Sequence, residues 1–279
     1  MHSSFSLATN ACALDGTMLA HTVPHWLRVF GDRVAEVVVV VDREVPSGRI
    51  ATLHRDAAQL VPLDDSLNQL VRHDTRVRVV ELQQLELLPI QEKWFGSARP
   101  VRCQAGTPVV AFVTAIESAH QDLVLRCDCD MLFREDGWLA QGDVELANHC
   151  NLYEPPRLDQ TAKTDVSSRA FMVRKSVFRG RLPLRNLRLD PLRILHRTLH
   201  GRPTWIALEQ MLQRAVQTRE LAHRIGSDTR LGYSLHALRR SFANEHWFEQ
   251  VVRAVEFDDL PLEQRGHWDL HPELWPVLH

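Results

Sequence analysis

The sequence predicts an α/β fold: a mainly parallel central sheet flanked by helices, with C-terminal helices and a tail packed on it. Three observations carry that prediction. "EVVVVVD" (36–42) is an unbroken β-branched run, as a strand covered on both faces requires. Short apolar strands alternate with segments of helical period through the first half of the chain. An apolar fraction of 44% over 279 residues supplies ample core for one large domain, and no linker forces a split.

The elements follow in order. "SSFSLAT" (3–9) is a short strand, and "NACALDG" a polar turn. Leu19, Val23, Trp26, Leu27 and Phe30 then share a helical face, with Pro24 expected to kink the helix. The 36–42 strand is followed by another at "VRVVEL" (77–82). Val109, Phe112, Val113 and Ile116 repeat at i, i+3, i+4 and i+7, so 107–119 reads as a helix. "DLVL" (122–125) is the next strand.

The second half reads differently. "SRAFMVRKSVF" is a strand running into a short helix. Residues 179–202 are rich in arginine and leucine, broken by Gly180, Pro183, Pro191 and Gly201. "PTWIALEQMLQRAVQT" is a helix with the stripe Trp205, Leu208, Leu212 and Ala215, and Pro203 suits its start. A last helix carries Phe248, Val251, Val252 and Val255, and the tail after Asp259 is expected to wrap the surface.

Composition removes several classes. The net charge of -2 gives no basic field for nucleic acid. No apolar run approaches the roughly 18 residues that a bilayer span needs. "MHSSFSLATN" lacks the basic start and apolar core of a secretory signal. The five cysteines are odd in number and thinly spread, which suits reduced thiols in the cytoplasm.

The chemistry concentrates in "LVLRCDCDML" (123–132). Ligands of a parallel α/β sheet gather beyond the carboxyl ends of its strands, where Asp128 and Asp130 fall. Side chains at i and i+2 of an extended segment point the same way, so the two carboxylates can converge on Mg²⁺ or Mn²⁺. Magnesium commonly shares its shell with substrate phosphates, and a nucleoside diphosphate would supply them. A zinc reading through Cys127 and Cys129 lacks two further ligands, since His149 and Cys150 are adjacent to one another. Small buried hydrophobes suit those cysteines better.

The order of these features resembles a nucleotide-sugar glycosyltransferase of the GT-A, Rossmann-like type, with family-2-like motifs, over residues 5–236. The resemblance implies a donor-binding first loop at "SLATNACALDG" with Thr9, and a nucleoside contact at Asp42 after "VVVVV". It implies a D-x-D metal site of Asp128 and Asp130, completed by His236 in "GYSLHALRR". Arg169 opens the basic strand that commonly follows, and guanidinium groups match phosphate geometry. "ALEQMLQRA" is similar to the acceptor-side "E-D-x-x-L-x-x-R" signature, keeping Glu209, Leu212 and Arg214. Gln210 stands where the family usually has Asp, so Glu209 is the residue left to act as general base, or the enzyme is a retaining one without that base.

On this reading 1–130 binds the nucleotide-sugar, 131–240 binds the acceptor, and 241–279 is a helix and tail. The implied partners are a nucleoside-diphosphate sugar and a small-molecule or glycan acceptor, with Mn²⁺ or Mg²⁺ as cofactor. The nucleotide, the sugar and the oligomeric state stay open.

Each residue also has a plain structural reading. Asp42 can cap a turn, His236 can be a satisfied core histidine, and Glu209 can lie on an exposed helix face. Other functions remain beside the first. A haloacid-dehalogenase-like phosphatase would use Asp128 as nucleophile, but it wants Thr or Val where Leu132 stands, and its motif starts the fold. A sugar-1-phosphate nucleotidyltransferase wants a glycine-rich basic first loop, whereas "ATNACALDG" has one glycine and no basic residue. A non-catalytic sugar- or nucleotide-binding relic of the same fold would account for Gln210.

Overall fold

The computed structural model describes residues 4–13, 15–43, 62–84, 87–95, 109–158, 166–181, 191–200, 208–237 and 245–275. The first half runs β1 (Phe5–Cys12), α1 (Gly16–Phe30), β2 (Val34–Asp42), α2 (Leu63–His73), β3 (Val77–Glu81), α3 (Leu87–Phe95), α4 (Val109–Glu117) and β4 (Leu123–Cys127). Then come β5 (Met131–Arg134), α5 (Trp138–Asn148), β6 (Leu152–Glu154), β7 (Ala170–Arg174) and α6 (Lys175–Phe178). The chain continues through α7 (Pro191–Leu199), α8 (Leu208–Gln217), β8 (His223–Ile225), β9 (Tyr233–His236) and α9 (Glu245–Glu256).

Seven strands form one sheet in the order β3-β2-β1-β4-β7-β6-β8, and only β7 runs against the others. The α/β, mainly parallel expectation is met. β5 and β9 pair antiparallel in a separate two-stranded ribbon.

The valine run shows why both faces are covered. Val37, Val39 and Val41 pack into one hydrophobic cluster with α1 and α2, while Val38 and Val40 pack into a second with α4. Alternation with period two therefore needs apolar residues at every position. In α4 every residue from Val109 to Ile116 is buried, so the helix is apolar all round.

α1 continues past Pro24 to Phe30, so the expected kink does not end the helix. Proline removes the bond to the carbonyl four residues back and crowds that carbonyl, and the buried side chains on either side, Val23, Trp26 and Phe30, keep the helix seated. The predicted strand at 122–125 becomes β4, and "SRAFMVRKSVF" becomes β7 and α6. Trp205 and Pro203 of the predicted 203–218 helix lie outside the described residues, while Leu212 and Ala215 are buried with Met211 on α8.

In the tail after Asp259 most described residues are exposed or half-buried, and Leu270 and Gln264 are buried. The Gln264 amide donates to the carbonyls of His267 and Asp269 and accepts from the His271 N–H, which ties the segment into a tight coil.

One buried acid braces the sheet. Glu36 on β2 accepts from Ser6 Oγ of β1 at 2.6 Å, from the His120 N–H, and from Arg78 Nη2 of β3 at 3.0 Å. Burial alone would raise its pKa; those donors outweigh burial and hold it below the ordinary 4.5. We expect Glu36→Gln to cost about 2–3 kcal/mol of stability at neutral pH, as the loss of charged hydrogen bonds does. The ionised group contributes fully above its unfolded value and loses that contribution as pH falls through its lower folded value. Denaturant melts should therefore show the wild-type advantage shrinking in acid below about pH 4.5.

Candidate functional site

β4 is buried throughout and ends at Cys127, so Asp128, Cys129 and Asp130 form the turn into β5 at the carboxyl edge of the sheet. Three α1 side chains hold the backbone of that turn and the strand after it. Thr22 Oγ1 donates to the Cys129 carbonyl at 2.9 Å, and Trp26 Nε1 to the Met131 carbonyl at 2.8 Å. His25 Nε2 accepts from the Phe133 N–H at 3.0 Å. The Asp128 N–H donates to the Arg169 carbonyl at 2.6 Å, which places the start of β7 beside the motif.

Each acid of the pair meets a cation. Asp128 Oδ1 lies 2.6 Å from Arg126 Nη1. Arg126 is buried on β4, stacks 4.6 Å from the Phe112 ring centroid, and also donates to the Ser168 carbonyl and to Asn10 Oδ1. Asp130 Oδ2 lies 3.2 Å from His236 Nε2, and His236 Nδ1 lies 2.8 Å from Asp269 Oδ1. Arg169 Nη1 meets the same Asp269 oxygen at 2.6 Å. Trp268 lies between two guanidinium groups, with Arg157 at 4.6 Å and Arg169 at 5.0 Å from its ring centroid.

β9 reaches this site through a required glycine. At Gly232, φ is 110° and an added Cβ would lie 2.2 Å from the Arg134 carbonyl. Glycine there lets β9 close on β5 and puts His236 opposite Met131.

The charges shift one another. The Asp128 carboxyl is raised, because burial and the Asp130 charge outweigh Arg126 and His236. With 32% of its side chain accessible it is open on one side, yet the surrounding protein still strips much of its water. Burial would lower the pKa of His236; Asp130 and Asp269 reverse that and push it up to about 9. Asp269 is correspondingly held well below the usual carboxylate range: burial would raise it, but His236 and Arg169 prevail.

The residues singled out in the sequence thus fall in two groups. Asp128, Asp130, Arg169 and His236 come together, with Glu209 one step away: Glu209 Oε1 accepts from Ser168 Oγ at 2.7 Å, and the Ser168 carbonyl accepts from Arg126. Asp42 ends β2 at the same sheet edge and accepts from Gln83 Nε2 at 3.1 Å. Thr9 is fully buried on the β1 face that carries Leu7 and Ala11, and its hydroxyl has no hydrogen-bond partner among the described residues. Its neighbour Asn10, on the opposite face, is the β1 residue that reaches Arg126.

Sequence reasoning passed over Arg126, Asn10, Ser168, Trp268 and Asp269. Only Arg126 carried a signal, as a lone charge inside an apolar strand. Cys127, Cys129 and Cys150 are buried thiols, in keeping with their reading as small hydrophobes.

Among the described residues no three His, Cys, Asp or Glu side chains gather closely enough to hold a metal ion. Asp128 and Asp130 suit a hard divalent cation by donor chemistry, since their mutual repulsion is what a cation relieves. His236 does not suit one as it stands. Both its nitrogens face carboxylates and it carries a proton, which must leave before it can be a ligand.

No family model and no curated protein matches the chain. Several solved structures are similar. The galactosyltransferase LgtC in complex with donor and acceptor sugar analogues is 10% identical, over 90% of this chain and 82% of its own, with a TM-score of 0.45. Glucosyl-3-phosphoglycerate synthase from Mycobacterium tuberculosis, in complex with Mn²⁺, UDP and phosphoglyceric acid, is 14% identical over 91% and 76%, at 0.44. Mouse xyloside xylosyltransferase 1 is 10% identical over 90% and 93%, at 0.42. At such identities and TM-scores the likeness carries no information about chemistry, which has to come from the chain's own residues.

The geometry makes Asp269 responsible for part of the high pKa of His236. In Asp269→Asn the imidazole, followed by NMR titration, should titrate lower by about one unit or more, because one of two stabilising negative charges is gone. An unchanged titration would leave Asp130 as the sole cause.

Proposed function

We propose that the chain is a metal-dependent glycosyltransferase, moving a sugar from a nucleoside-diphosphate sugar to a small-molecule or glycan acceptor. The observation that carries this reading is the meeting of Asp128 and Asp130 with Arg126, Arg169 and His236 at the carboxyl edge of a parallel sheet. Glu209 is linked to that cluster through Ser168. Such an edge is where α/β folds place ligands, and paired carboxylates among cationic side chains have the donor chemistry that would hold a divalent cation beside a diphosphate.

Each residue has a part. Asp42 and the loop after β1, which begins beyond Cys12, hold the nucleoside, with Thr9 in the strand behind that loop. Asp128 and Asp130 hold Mn²⁺ or Mg²⁺, and His236 joins them only after releasing its proton. A cation held there would supply Lewis-acid neutralisation of the diphosphate charge. Arg169, oriented by Asp269 and stacked on Trp268, offers its guanidinium to phosphate oxygens. Glu209 accepts the proton of the acceptor hydroxyl, and its bond from Ser168 fixes the carboxylate toward the cluster.

Two tests follow. Asp128→Asn and Asp130→Asn should keep the fold and lose the Mn²⁺-dependent rise in melting temperature that a nucleotide-sugar gives the wild type. An undiminished metal-dependent shift in both variants would remove the metal role, and an aspartyl-phosphate trapped at Asp128 would install the phosphatase reading instead.

Glu209→Gln should keep that thermal shift but slow acceptor-dependent release of nucleoside diphosphate by about 10²-fold or more. Turnover within a few-fold of wild type would clear Glu209 and favour a retaining reaction.

A further inference from the structure

No described residue of the arginine- and leucine-rich segment 179–202 takes part in the site described above. Within it, α7 places Leu192, Leu195 and Leu199 at i, i+3 and i+7, an arc of roughly 60° on a helix. They are 79%, 58% and 74% exposed. Three large apolar side chains exposed in one stripe make the kind of surface that marks an interaction site.

Charge identifies the partner. Residues 179–202 hold seven arginines and a single acidic residue, Asp190. The segment therefore carries a net six positive charges in a chain whose total is -2, and the remaining residues carry a net eight negative ones. An anionic surface attracts the segment and repels the rest, which orients the molecule as well as holding it.

We propose that α7 docks the protein on an anionic phospholipid bilayer, with Leu192, Leu195 and Leu199 entering the boundary between headgroups and acyl chains. The net positive charge of the segment supplies the attraction to headgroup phosphates. A short apolar stripe bordered by basic residues is the pattern of a helix lying in the membrane plane. No helix among the described residues is long and apolar enough to cross a membrane, so contact is peripheral. The attachment does not depend on the glycosyltransferase reading.

Flotation of the full chain with vesicles tests it. The protein should float with phosphatidylcholine vesicles that contain phosphatidylglycerol, stay behind with phosphatidylcholine alone, and dissociate as salt is raised. Leu192→Asp with Leu199→Asp should lower the bound fraction about tenfold, at unchanged circular dichroism and melting temperature, because both side chains lie in water. Asp128→Asn should float as the wild type does, which separates docking from the catalytic site. Equal flotation of the double variant and wild type would overturn the proposal, as would equal binding to uncharged vesicles. So would sedimentation showing a wild-type dimer that the double variant loses while neither floats, since a second copy would then be the occupant.

Discussion

The site depends on how α1 grips the turn between β4 and β5. Thr22, His25 and Trp26 each bond a backbone group of residues 129–133, and all three side chains are fully buried. Buried backbone polar groups need partners, and here the helix supplies them where the chain leaves the sheet. His25 is itself bound through Nδ1 to Glu256 of α9 at 2.9 Å, so the last helix is fastened to the same point. Burial holds the His25 pKa low, which suits a neutral ring that accepts at one nitrogen and donates at the other.

Around this turn the charges balance locally. Asp128, Asp130 and Asp269 face Arg126, His236 and Arg169 in close pairs. Buried ion pairs contribute little net stability against apolar replacements, because desolvation consumes most of the attraction. A cluster of matched charges has the chemistry to exchange an internal partner for a ligand of the same sign. Arg126 shows the specificity of the arrangement, since its two terminal nitrogens reach Asp128, Ser168 and Asn10 while its plane stacks on Phe112. A lysine could not make that set.

The tail gives the site its last acid. Asp269 forms a backbone bridge with His236, and the flanking Leu270 is buried, so the carboxylate is fixed rather than trailing. Trp268 accepts the His236 N–H at its carbonyl and adds an aromatic face between Arg157 and Arg169. A polar wall is thereby built from residues nearly the whole chain length from β1.

Periodicity and β-branching determined β1, β2, β3, β4, β7 and the helices α1, α4 and α9, because those elements are long or apolar enough for local chemistry to fix them. The strands β6 and β8 have three residues each, too few to show a period, and form only because β7 offers an edge to β6 and β6 offers one to β8. The acids of the D-x-D turn were legible for the same local reason, as charges at the end of a buried strand. Their partners were not. Arg126, Ser168, His236 and Asp269 lie up to about 140 residues apart, and sequence spacing says nothing of such pairings. The β9 ribbon and the coil around Gln264 carry His236 and Asp269 to the sheet edge. Only chain closure in three dimensions decides which charges meet there, because an ion pair depends on distance through space and not along the chain.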